Sequence, residues 1–385
     1  MSEEVFKMKG CGGQETQAVM ERKELDGRAL ALVSGAVRND WTKEEIAQIY
    51  HSPLLDLVFT GARVHRMHHD PRAVQQCTLL SVKTGGCSED CAYCPQSARY
   101  ETNVKAEKLL DPDTVYMAAK LAKDNGSTRF CMGAAWREVK DNEQFQQVLQ
   151  MVEKVKSLDM EVCVTLGMVN LEQAKKLKDA GVTAYNHNLD TGEQYYDKII
   201  TTRTYADRLN TLQNVREAGI TVCCGGIVGL GESDDDRVDL LHTLATLEVH
   251  PESVPVNALV SVAGTPMEDK AKVQIDAMLR MIATARIIMP LSMVRLSAGR
   301  VDMSMAEQAL CFLAGANSIF TGERLLTTAN PEFDQDKEMF ATLGLKALTL
   351  EGADSCHSMP EKSGHCSESK PKPATSHCHP PSSCC

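Results

Sequence analysis

A (β/α)8 barrel of the TIM type is the fold class predicted by this sequence, and two observations carry it. From about residue 78 one unit recurs, in which a helical stretch ends in glycine and a short β-branched or apolar run follows. About eight such runs alternate with helices over roughly 250 residues, the pattern of a parallel sheet wrapped by helices. An open doubly wound sheet is the alternative. No dinucleotide fingerprint supports it, because the glycines between 225 and 231 do not fit G-x-G-x-x-G opening a helix.

The elements follow in order. Residues 1–39 read as an N-terminal extension, polar and weakly structured over the first 25. Residues 40–70 are helical and loop-like, with Asn39 or Asp40 as the cap of a helix over 41–50. Strands are expected at 78–83, 127–134, 161–166, 182–188, 220–228, 254–259, 294–297 and 318–320. Gly126, Gly181 and Gly219 stand where a helix gives way to a strand, suited to the left-handed residue past a helix end. Helices are expected at 171–180, capped by Asn170, and at 205–218. The barrel domain spans 40–350. The remainder, 351–385, is rich in Ser, Pro, Lys, Cys and His with almost nothing to bury, and reads as a disordered tail.

Composition narrows the function. The net charge of −11 disfavours nucleic-acid binding. No run reaches the 18 or more apolar residues of a membrane span. The first 30 residues are acidic and lack an apolar stretch, so a cytoplasmic protein is expected. Fifteen cysteines in a reducing compartment point to metal binding or catalysis rather than disulfides.

Three cysteines form a tight group. Cys87-Ser-Glu-Asp-Cys91-Ala-Tyr-Cys94 follows the first strand and a Gly85-Gly86 turn, on the face of a barrel that carries chemistry. Three thiolates can hold one side of a [4Fe–4S] cube, which normally takes four, and leave one iron open. A zinc site is the alternative, with a fourth ligand from His65, His68 or His69. With Tyr93 before its last cysteine, C-x3-C-x2-C resembles the signature of radical S-adenosylmethionine enzymes. The resemblance implies that Cys87, Cys91 and Cys94 hold a [4Fe–4S] cluster whose open iron binds S-adenosylmethionine.

A second set emerges from strand parity, since positions two apart share a face. Arg129 with Cys131, the central Cys163, Asn186 with Asn188 and Asp190, Cys223 with Gly225 and Ile227, and Arg295 with Ser297 are the faces taken to point inward. Singly, a strand cysteine is more often a small buried hydrophobe, and a buried arginine usually pairs with a carboxylate. Parity turns Cys224 outward; Cys77 and Cys311 also lie off the pattern.

The motifs narrow the resemblance. Ser81-Val-Lys83-Thr-Gly-Gly-Cys87, Ser127-Thr-Arg129-Phe-Cys131-Met-Gly-Ala-Ala-Trp136, Tyr185-Asn-His-Asn188-Leu-Asp190-Thr, Gly226-Ile-Val-Gly-Leu-Gly-Glu232 and Val294-Arg-Leu-Ser-Ala-Gly-Arg300 are similar to the biotin synthase family, over about residues 40–345. The resemblance implies sulfur insertion into dethiobiotin, in which S-adenosylmethionine yields a 5′-deoxyadenosyl radical and a [2Fe–2S] cluster is the proximal sulfur donor. It implies Cys131, Cys163, Cys223 and Arg295 as ligands of that cluster.

In those roles Tyr93, Ala134, Ala135, Asn188, Asp190 and Ile227 meet S-adenosylmethionine, with Asp190 accepting from its ribose. Asn188 and Asn257 offer amides to a ureido ring, and Thr327 and Thr328 meet the substrate carboxylate. Lys83 and Arg129 are cations near an anionic cluster, or members of internal salt bridges. A flavodoxin- or ferredoxin-type electron donor and a homodimer are the partners expected. A radical enzyme with another substrate and a zinc-binding or metal-buffering protein are the alternatives. The latter is suggested by the cysteine- and histidine-rich residues 353–385.

Overall fold

The computed structural model describes residues 35–349. Two helices precede the barrel, α1 (Lys43–Tyr50) and α2 (Leu54–His68). The cap of α1 is Thr42, not Asn39 or Asp40. Its hydroxyl and the Glu45 carboxylate form a reciprocal capping box. Asp40 instead pairs with Arg38 at 2.6 Å, and Trp41 is buried with its indole donating to the Ile288 carbonyl at 3.2 Å.

The strands are β1 (Ala73–Lys83), β2 (Arg129–Ala134), β3 (Glu161–Thr165), β4 (Ala184–Asn186), β5 (Thr221–Cys223), β6 (Gly226–Val228), β7 (Ser253–Ala258), β8 (Met293–Leu296) and β9 (Ser318–Phe320). All are parallel, run in chain order around the sheet, and close where β1 pairs with β9. The expected barrel is therefore present, with eight staves, the fifth divided into β5 and β6.

That division is the main departure from the single strand expected over 220–228. Both pieces keep the same register on β7, with Cys223 opposite Ser253 and Gly226 opposite Val256. Between them the backbone presses against β7. A Cβ on Gly225 would lie 2.0 Å from the Pro255 carbonyl oxygen, so only glycine fits there. The first strand starts earlier than expected, at Ala73. Gln75 and Gln76 hide it in the sequence, yet both are buried, and Gln75 donates to Glu161 at 2.8 Å. At the foot of the barrel β12 (Lys346–Ala347) pairs with Ala73 and Val74. At its mouth β10 (Arg324–Leu325) and β11 (Thr328–Ala329) form a small hairpin; neither was legible from its short polar sequence.

Alternation along each strand sorts side chains into two cores. Phe130, Met132, Val162, Val164 and Cys224 face the helices in the main hydrophobic core. Cys77, Cys131, Cys163, Ala184, Phe320 and Leu325 form a separate small cluster inside the barrel. A barrel interior is usually filled by branched aliphatic residues. Here it holds thiols and a guanidinium.

One stability prediction arises below the barrel. Burial, aided by the charge of Arg286, pushes the His65 imidazole down to about 2. His65 is 1% exposed. The unfolded chain binds this proton near pH 6.5 and the folded chain does not. Stability is thus full above that pH and declines as pH falls below it, by about 1.4 kcal/mol between pH 7.5 and 5.5. Urea unfolding at the two pH values measures this, and His65→Gln should flatten the slope by that amount. An unchanged slope in the variant contradicts it.

Candidate active site

After β1 the chain turns at Gly85 and Gly86, both in left-handed backbone (φ 67° and 72°), where a Cβ on Gly85 would lie 2.8 Å from the Lys105 carbonyl oxygen. The loop that follows carries Cys87, Cys91 and Cys94 and is tied down at several points. Cys87 N–H donates to the Gln96 carbonyl at 3.0 Å, and Ala92 N–H donates to the Ile199 carbonyl at 3.0 Å. Against the burial that pushes it up, hydrogen bonds from Thr201 and Thr202 hold the Asp90 carboxyl down at about 2, so it stays an acceptor that staples the two loops.

The three cysteines line a cavity of about 130 Å³ together with Gly133, Ala134 and Ala135 at the end of β2. The small residues there leave room beside the thiols. Burial pushes the Cys91 thiol up to about 12, and the Arg203 cation opposes this from 3.9 Å. Burial pushes Cys94 up to about 11. Glu89, 2% exposed, lies 3.5 Å from Arg137 and 3.9 Å from Arg203. Its Oε1 and the Nε of Arg203 have no hydrogen-bond partner among the described residues. These ion pairs are longer than hydrogen bonds, so the loop keeps hydrogen-bonding capacity to spare beside the cysteines.

Deeper in the barrel, Cys131 and Cys163 stand opposite each other on β2 and β3. Hydrogen bonds from Cys131 and Cys223 hold the Cys163 thiol well below the ordinary thiol range. The bonds to Cys163 push Cys131 and Cys223 well above it. Arg295 on β8 is 1% exposed and donates from Nη1 to Cys223 Sγ at 3.6 Å and from Nε to Ser318 Oγ at 3.0 Å. The four side chains expected to meet inside the barrel do meet. Cys224 lies on the other side of the strand, fully buried in the main core, as parity predicts. Arg129 forms the internal salt bridge that was one of its two expected roles. Its Nε donates to Glu161 at 2.8 Å, while its buried Nη1 has no partner among the described residues. Lys83 donates to the Gly85 carbonyl at 2.6 Å, so it secures the loop turn.

A cavity of about 310 Å³ joins the loop to the interior. Tyr93, Cys94, Ala134, Asn188, Asp190, Ile227, Asn257, Thr327 and Thr328 line it, as do Cys131, Cys163 and Arg295. Ala135 lies in the smaller cavity around the three loop cysteines. Asn188 Oδ1 accepts from Gly225 N–H at 3.2 Å, which turns its amide nitrogen free for another partner. Asn257 donates to the Gly226 carbonyl at 3.0 Å and accepts from Ala298 N–H at 3.3 Å. Asp190 sits in left-handed backbone (φ 69°), and one carboxylate oxygen is taken by Tyr93 at 2.9 Å and by Arg208.

Four residues of this site escaped the sequence reading. Cys77 faces the interior beside Arg295. Arg208 and Arg203 come from a helix and the loop before it, and Glu89 sits between two of the loop cysteines. Parity along β1 gives the Cys77 signal, because Cys77 and Leu79 lie on one face and Leu79 also lines the cavity. No comparable signal exists for the arginines.

The donor sets fit iron–sulfur groups better than zinc. Among the described residues no three His, Cys, Asp or Glu side chains converge closely enough to hold a single ion. A cluster spreads its thiolates over its own width, and both cysteine sets border open space with a buried arginine beside each that keeps one nitrogen without a hydrogen bond among the described residues, Arg203 Nε at the loop and Arg129 Nη1 in the interior.

The Radical SAM superfamily pattern matches residues 81–244, and the Biotin and Thiamin Synthesis associated domain matches 255–346. The biotin synthase of Cytophaga hutchinsonii is 67% identical over 310 residues, covering 80% of this chain and 92% of that protein. The mitochondrial biotin synthase of Arabidopsis thaliana is 65% identical over 80% of this chain and 82% of its own. That of Schizosaccharomyces pombe is 56% identical over 85% and 93%. The chain belongs to the biotin synthase family.

Members of the biotin synthase family are radical enzymes, and membership supplies the cofactors: S-adenosylmethionine and iron–sulfur clusters. Solved structures place the fold independently. Methylornithine synthase superposes with a TM-score of 0.71 at 17% identity, covering 86% of this chain and 99% of its own. The FeFe-hydrogenase maturase HydG of Carboxydothermus hydrogenoformans gives 0.72 at 16%, covering 87% and 82%. Among the described residues no helix is long and apolar enough to cross a membrane.

Proposed function

We propose that this chain converts dethiobiotin to biotin, with the chemistry divided between the loop and the barrel interior. The observation that carries the reading is a pair of adjoining cavities that share Cys94: the smaller is lined by all three loop cysteines, and the larger reaches Cys131, Cys163 and Arg295, with Cys223 bonded to Arg295 behind them. When bound, a [4Fe–4S] cluster with S-adenosylmethionine supplies a carbon-centred radical, and a [2Fe–2S] cluster supplies the sulfur. Cys87, Cys91 and Cys94 hold the first. Cys131, Cys163, Cys223 and Arg295 hold the second.

The other residues bind, orient and shield. Ala134 and Ala135 leave backbone accessible beside the loop cysteines. Tyr93 and Ile227 give apolar walls for an adenine, and Asp190, braced by Tyr93 and Arg208, keeps an acceptor at a fixed height for the ribose. Asn188 offers its free amide nitrogen between the two ligands, and Asn257 contributes to the ureido side. Thr327 and Thr328, on the hairpin at the mouth, take the carboxylate end. The hairpin and the apolar wall keep water out, which protects reactive carbon centres.

Residues 40–350 are the catalytic domain in this reading. An electron-donor protein of the flavodoxin or ferredoxin type fits a cofactor that takes one electron at a time. A homodimer is supported by Leu55 and Phe59 on α2, which stand 80% and 70% exposed. Nine unpaired cysteines among the described residues support a reducing compartment, and we take it to be the cytoplasm.

Anaerobic iron and sulfide analysis with an optical spectrum tests the reading. Two clusters per chain are expected, and a protein that takes up zinc but no sulfide contradicts it. The adjacent cysteines give a sharper check. Cys223→Ser should lose the interior cluster, while Cys224→Ser keeps it. The reverse result would mean that the strand's inward face had been misassigned.

A further inference from the structure

Cys77 has no part in the proposed ligand set, yet it lies on the same interior wall. It is fully buried on β1, opposite Arg129 on one side and Phe320 on the other. Burial alone would be met equally well by alanine or valine. What those residues could not supply is a contact to Arg295.

The guanidinium of Arg295 is gripped by its edges. Nε donates to Ser318 Oγ at 3.0 Å and Nη2 donates to Cys77 Sγ at 3.3 Å. Nη1 points the other way, to Cys223 Sγ at 3.6 Å. The Phe320 ring covers one face, 4.7 Å from the central carbon. Among the described residues no carboxylate pairs with Arg295, unlike most buried arginines. Its orientation therefore depends on the sulfur and hydroxyl acceptors.

Gln75 sets the direction of those acceptors. Its Oε1 accepts from Cys77 at 3.6 Å and from Ser318 at 3.3 Å, which gives both groups an acceptor for their hydrogens on the side away from the arginine. Gln75 is itself held by Glu161 at 2.8 Å, the same carboxylate that pairs with Arg129. A planar guanidinium fixed at Nε and Nη2 has no freedom left at Nη1.

We propose that Cys77 is a positioning residue for Arg295: with Ser318 it grips the Nε and Nη2 edge and leaves Nη1 aimed at the interior cluster site. This inference rests on the reading of Cys131, Cys163, Cys223 and Arg295 as that cluster's ligands. Supports of a metal ligand commonly change metal retention 10- to 100-fold when lost.

The test uses the anaerobically reconstituted full chain, with Cys77→Ser, Cys77→Val, Cys77→Ala and Cys163→Ala. The readouts are thermal stability, iron and sulfide content, the visible circular dichroism of the interior cluster, and its release rate to a chelator. Cys77→Ser should match the parent, because a hydroxyl also accepts from Nη2. Cys77→Val and Cys77→Ala should keep the loop cluster and the fold but alter the interior dichroism. They should also release that cluster at least about tenfold faster. The alanine variant guards against overpacking by valine. Parent-like spectra and release in both, with the cluster lost in Cys163→Ala, would overturn the inference and spare the ligand reading. So would a serine variant as impaired as valine. An intact interior cluster in Cys163→Ala would overturn the ligand reading and this inference with it.

Discussion

Cys91→Ala should abolish cleavage of S-adenosylmethionine by the reconstituted protein. Cys91 is the middle member of the loop set and the most enclosed of the three, 6% exposed beside Arg203. Two remaining cysteines cannot hold one side of a cube and leave a single open iron. The loss should exceed about 100-fold, the upper end of what losing even an outer support of a metal ligand costs. The fold should survive, because the loop is anchored by Asp90 on Thr201 and Thr202 and by backbone bonds at Cys87 and Ala92. Chromatographic measurement of methionine and 5′-deoxyadenosine after anaerobic reduction, beside a melting curve, checks both halves. Cleavage at the parent's rate would remove the loop cysteines from the chemistry.

Cys163→Ala separates the two halves of the site. The variant should retain the loop cluster and cleave S-adenosylmethionine, yet form no biotin above background. Cys163 is the centre of the interior row, directly opposite Cys131 on β2 and packed with it and Cys77 in the small interior cluster. Removing it breaks the row at its midpoint and leaves the loop untouched. Alanine is tolerated sterically, since Cys163 already packs in a small cluster with Ala184. Iron and sulfide content should fall by the share of one cluster, and biotin assayed by mass should disappear. Biotin at the parent's rate would make the interior cysteines structural.

Helix ends and strand faces were the most legible features. Asn170 caps the helix Leu171–Ala180 with the bounds expected, closed by Gly181 in left-handed backbone, because capping is a contact among neighbours in the chain. Strand parity sent Cys223 inward and Cys224 outward, since a strand alternates its side chains whatever it pairs with. Thr42 displaced the expected cap of α1 because Asp40 found Arg38 and Trp41 found the main core, choices that depend on packing. The cysteine- and histidine-rich segment after 353 lies outside the described residues.

By itself, the sequence determined the alternation of strands and helices, the loop trio and the inward faces of Cys131, Cys163, Cys223 and Arg295, all of which rest on local order and spacing. Tertiary structure decided the rest. Closure of β1 on β9 is what brings Cys77 and Ser318 together with Arg295. The glycine at 225 is required because the Pro255 carbonyl of β7 lies too close for a Cβ. Arg203 and Arg208 entered the site from outside the cysteine loop, drawn to Glu89 and Asp190 by charges that are neighbours only in space. Contacts between residues hundreds of positions apart leave no periodic trace in a single sequence, whereas caps and strand faces do.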